Sequence, residues 1–93
     1  MFLGVPFNIA SYSLFTHMIA RECNLQVGNF IHSLGDFHIY REHFDAVEIQ
    51  LKRSPMKLPT LNFETNNFFE YAINDFNLTN YNYYPKIEAP MNV

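Results

Sequence analysis

Three polar side chains offer most of the chemistry in this sequence. Asn8 lies within Phe2-Leu3-Gly4-Val5-Pro6-Phe7-Asn8-Ile9-Ala10-Ser11-Tyr12. An amide presents one acceptor and two donors. A uracil ring presents its N3 hydrogen beside the O4 acceptor, so one Asn can bind both atoms. Cytosine shows the reverse pattern there. A rotating amide would serve either base, so selectivity needs neighbours that fix its orientation. Taken alone, Asn8 reads as a helix cap worth ~1 kcal/mol. His38 and Tyr40 lie in Gly35-Asp36-Phe37-His38-Ile39-Tyr40. On a strand they share one face with Asp36, opposite Phe37 and Ile39. An imidazole and a phenol on one face can grip a sugar hydroxyl. As isolated residues they read as the polar side of a half-buried strand.

Cys23 stands in Arg21-Glu22-Cys23-Asn24, at the end of an apolar helix, with no proline before it and no histidine after it. The expectation is a buried, unreactive packing thiol. No catalytic residue is therefore assigned within the chain. His17, His32, His38 and His43 show no metal-ligand spacing, and there is no second cysteine. A metal site is not expected.

These residues need elements to position them. Pro6 and Asn8 are start signals, with Asn8 the expected N-cap of a helix running to Cys23. Its apolar residues, among them Ile9, Tyr12, Leu14, Phe15, Met18 and Ile19, surround the axis rather than form one stripe. Such a helix is expected to be central and buried. Seventy further residues could hardly cover it, so a partner or more protein is expected to do so. Gly28 should end the helix region. Residues 29–34 and 37–40 read as strand, with a bulge at Gly35. Residues 42–52 read as a helix with Phe44, Val47 and Leu51 as its buried stripe, stopped by Ser54-Pro55. Strands are expected at 60–63 and 75–80, a polar turn at 64–67 and a helical turn at 68–71. The tail from Tyr81, with Pro85 and Pro90, should be irregular. The fold class is α+β, a mixed sheet packed on a buried central helix.

Composition bounds the rest. Ninety-three residues make one domain at most, and an apolar content of 48% argues against disorder. Ten Phe and six Tyr imply an aromatic cluster or a broad interface. A net charge of −3 with six Lys plus Arg disfavours DNA or RNA as a partner. Tyr81, Tyr83 and Tyr84 have only Lys86 close by, which suits packing better than base stacking. One cysteine fits a reducing compartment, here the cytoplasm. The apolar N-terminus lacks a basic n-region and is interrupted by Asn8, Ser11, Ser13, Thr16 and His17, so neither a signal peptide nor a membrane helix is expected. Asn77-Leu78-Thr79 is read as a chance glycosylation match.

The segment Phe2 to Tyr12 and the run Gly35-Asp36-x-His38-x-Tyr40 resemble the thymidylate synthase family. The likeness continues through Leu51-x-Arg53-x-Pro55, Leu58-Pro59-x-Leu61, Asp75-Phe76, Tyr81 and Ile87-x-Ala89-Pro90. The resemblance implies that residues 1–93 are the C-terminal portion of a single thymidylate synthase catalytic domain. It implies methylation of dUMP to dTMP, with 5,10-methylenetetrahydrofolate as cosubstrate and a homodimer when complete. Asn8 would bind the pyrimidine, and His38 and Tyr40 the deoxyribose 3′-hydroxyl. Asp36 would be structural. Leu3, Gly4 and Phe7 would lie near the folate, and Val93 would close over the ligands. The family's nucleophilic cysteine lies in a Pro-Cys-His turn, expected upstream of Met1, as are its phosphate-binding arginines. The fragment alone is expected to be inactive. A related deoxycytidylate hydroxymethylase typically carries aspartate at the position of Asn8, so the asparagine favours uracil. A non-catalytic remnant or interaction module is the rival from another class.

Overall fold

The computed structural model describes residues 1–64 and 67–91. Helix α1 spans Val5–Glu22. A 3-10 turn over Arg41–His43 leads into helix α2, Phe44–Leu51. Strands β1, Thr60–Phe63, and β2, Phe76–Thr79, pair antiparallel. Short 3-10 turns at Phe68–Glu70 and Ile73–Asp75 lie between them. The class is α+β, but among the described residues the sheet has two antiparallel strands rather than a mixed order.

Helix α1 begins one turn earlier than the sequence suggests. Gly4 is its N-cap, and the Asn8 N–H donates to the Gly4 carbonyl at 3.1 Å. Pro6 explains this. In the first turn the backbone N–H has no helical acceptor, so a proline fits inside the helix rather than before it. The C-terminus also differs. Asn24, not Gly28, makes the turn, with φ 52°. The Leu25 N–H reaches the Ala20 carbonyl at 2.7 Å and the Asn24 N–H the Arg21 carbonyl at 3.1 Å. These two bonds form a Schellman motif around a left-handed residue.

The expected burial of α1 does not occur within this chain. Ala20 is its buried residue, whereas Phe7 is 79% and Tyr12 58% exposed. Too little chain packs against it. Its recorded side-chain contacts are at its C-terminal half, where the Phe15 ring lies 6.3 Å from Phe68 and the Arg21 guanidinium 4.8 Å from the Phe63 ring centre. Those contacts join an aromatic cluster of Phe63, Phe68, Tyr71 and Phe76, with adjacent rings 5.2 to 6.2 Å apart. The sheet register creates it by setting Phe63 opposite Phe76.

Residues 29–34 and 37–40 do not form strands. Tyr40 has extended angles, φ −63° and ψ 146°, but no neighbouring strand supplies a ladder. The stripe of α2 is also rotated from expectation. His43 and Ala46 are buried, Val47 is half-buried, and Phe44 and Leu51 are exposed. The tail takes part in this, because Pro90 lies against His43. The polar turn expected at 64–67 falls partly outside the described residues.

Candidate functional site

Asn8 stands in the first half of α1, exposed, with no side-chain hydrogen bond among the described residues. Its amide is free to meet a ligand or another part of a larger protein. His38 and Tyr40 do come together. Their rings are 5.3 Å apart at 61°, an edge-on arrangement. Tyr40 in turn meets His43 at 5.6 Å, and Phe2 meets the far side of this series, 5.9 Å from His43. The extended backbone explains the pairing, since alternate residues share a face even without a ladder.

Ile39, between the pair, lines an apolar cleft of about 720 Å³. Leu3, Phe7 and Ile9 line it from the start of the chain, and Pro85 and Ile87 from the tail. Leu3 also faces a second cleft of about 420 Å³, walled by Lys86 to Pro90. The structure thus brings Leu3 and Phe7 into one cleft. Gly4, the N-cap of α1, is absent from the lining, and Val93 lies outside the described residues. Asn8, His38 and Tyr40 are not part of the cleft wall, although Ile9 and Ile39 beside them are.

Cys23 requires correction. It is exposed at the C-cap of α1, not packed in a core, because the face of this helix end that Ala20 and Arg21 pack does not include it. Asp36 is exposed as well. Among the described residues no group of three His, Cys, Asp or Glu side chains is placed to hold a metal ion. No described helix is long and apolar enough to cross a membrane.

Two residues matter more here than their sequence context suggested. His43 is 2% exposed, and its Nε2–H donates to the Pro90 carbonyl at 2.7 Å. A carbonyl only accepts, which assigns that proton to Nε2. Its Nδ1 is enclosed without a partner among the described residues. Arg53 donates to the Pro85 carbonyl at 2.7 Å and lies 5.1 Å from the Tyr84 ring centre. A proline-bearing tail outside any ladder leaves carbonyls open to outside donors, but no local pattern says which side chains reach them.

This short α+β segment has an open apolar cleft, and most of its large apolar side chains are uncovered within the chain. The thymidylate synthase family model matches residues 1–93. Thymidylate synthases of Coxiella burnetii strain RSA 493 and Francisella tularensis subsp. holarctica strain LVS are 55% and 54% identical over 99% of this chain. The chain belongs to the thymidylate synthase family. It spans about a third of those relatives' length, 36% and 34% respectively.

Proposed function

We propose that residues 1–93 form the C-terminal portion of a thymidylate synthase catalytic domain, acting with the remaining two thirds in the reductive methylation of dUMP to dTMP. The one-carbon unit and its hydride come from 5,10-methylenetetrahydrofolate. A cysteine in the remaining portion adds to C6 of the uracil ring and makes C5 nucleophilic. Asn8 reads the N3–H and O4 edge, and His38 and Tyr40 hold the deoxyribose hydroxyl. Leu3, Gly4 and Phe7 lie against the folate, and Val93 closes over the ligands and excludes water. The complete enzyme is a cytoplasmic homodimer that binds no DNA and no membrane.

Family membership across the whole chain is the observation that carries this reading. The exposed surface agrees with it. The chain has 8257 Å² of accessible surface at 11.0 kDa, whereas a compact monomer of that mass has about 5,600 Å². The excess, about 2,600 Å², is of the size that an obligate partner covers. Asn8 favours dUMP over dCMP as substrate, since the related deoxycytidylate hydroxymethylases typically carry aspartate there.

The test is a chimera. This chain replaces the matched segment of the Coxiella burnetii synthase, and consumption of methylenetetrahydrofolate is followed with dUMP or dCMP. Turnover of dUMP is expected. A folded, dimeric chimera that turns over neither nucleotide contradicts the enzymatic reading, and preference for dCMP contradicts the assignment of Asn8.

A further inference from the structure

We infer that His43 and Arg53 are positioning residues that dock the C-terminal tail across the cleft, each by donating to a proline carbonyl. The tail from Tyr81 to Met91 has no regular secondary structure. It cannot hold itself in place through backbone pairing, so side chains from the α2 region must do so. Arg53, just after α2, holds Pro85, with the Tyr84 ring beneath its guanidinium. His43, just before α2, holds Pro90. The two anchors grip opposite ends of Lys86-Ile87-Glu88-Ala89, the stretch that walls the smaller cleft opposite Leu3. Both prolines restrict their own φ, so each anchored carbonyl is held with less loss of entropy.

The aim of His43 is itself constrained. Tyr40 lies on one neighbouring contact and Phe2 on another, and the ring is 2% exposed. The Nε2–H therefore points at Pro90 without a choice of rotamer. The same ring touches Tyr40, which belongs to the proposed nucleotide grip. His43 thus joins that grip to the tail that closes over the cosubstrate.

The anchoring is independent of the enzymatic reading. Its kinetic consequence, a tail preset for the folate cosubstrate, rests on that reading, and the experiment separates them. Trypsin cleavage after Lys86 is measured in the chimera, relative to cleavage after Arg21 in α1. His43→Phe keeps a ring and removes the donor. His43→Gln keeps a donor near the same position. Arg53→Met removes the second anchor. Losing a partly buried hydrogen bond is expected to speed cleavage after Lys86 about five- to thirtyfold in His43→Phe. Arg53→Met moves in the same direction, and His43→Gln stays near the native rate. In the chimera, His43→Phe and Arg53→Met raise KM for methylenetetrahydrofolate by a similar factor while KM for dUMP changes less than about twofold. Unchanged cleavage after Lys86, or an equal rise at Arg21, overturns the anchoring. Faster tail cleavage with unaltered cosubstrate KM overturns the kinetic consequence. An inactive chimera with faster tail cleavage sinks the enzymatic reading and leaves the anchors standing.

Discussion

Asn8 is where a single heavy atom decides the account's chemistry. An amide can offer a donor and an acceptor together, whereas an ionised carboxylate only accepts. The Asn8→Asp chimera therefore loses the donor toward O4 and sets a carboxylate oxygen against that acceptor. Its kcat/KM for dUMP is expected to fall about 10- to 100-fold, with a smaller loss, or a gain, for dCMP. Steady-state kinetics with the two nucleotides measure this, and an equal loss on both assigns Asn8 to structure alone. At the same scale, the pairing of His38 and Tyr40 was legible from their spacing, because alternation needs only extended backbone. The position of His43 was not. Its burial depends on Pro90, 47 residues further on, and no local pattern announces such a contact.

Among the elements, those whose determinants are local followed the sequence closely. Strand β1 falls at Thr60–Phe63 as expected, and β2 trims the expected 75–80 to Phe76–Thr79. The aromatic and β-branched residues on both sides favour pairing, and both partners lie within this chain. The expected strands at 29–34 and 37–40 failed for the opposite reason, since no described residue pairs with them. Helix α1 was legible as a helix, and its apolar circumference already implied that this chain alone could not cover it, because burial is a property of what surrounds it. Its C-terminal turn supplies the prediction at this scale. Asn24 holds φ 52°, where a side chain with a Cβ is strained and asparagine is better tolerated than most. Asn24→Ala should destabilise the folded chimera by about 1 kcal/mol, and Asn24→Gly should leave it unchanged or slightly more stable. Midpoints of urea unfolding measure both. Equal stability of the Ala variant contradicts the Schellman cap.

The whole molecule is more open than its length warrants. Its radius of gyration is 16.1 Å, against about 12 Å for a compact domain of this size. The buried apolar residues are Ala20, Ala46 and Phe63, among the described residues, while Phe7, Ile31, Leu58 and Phe69 are largely uncovered. So small a core cannot offset the conformational entropy of the chain. The 93-residue chain alone should therefore bind a hydrophobic dye and lack sharp thermal unfolding. Within the chimera those signals should be replaced by one cooperative transition. A cooperative, dye-silent isolated chain contradicts the need for a covering partner. That an amide on α1 and a ring pair on a separate segment meet on one nucleotide is the proposal on which the rest depends. A crystal structure of the chimera with dUMP bound tests it most directly. The expected result is the Asn8 amide within hydrogen-bond distance of the uracil edge, and the His38 and Tyr40 side chains on the sugar hydroxyl of the same molecule. A nucleotide bound with those three side chains turned toward other parts of the protein would contradict it.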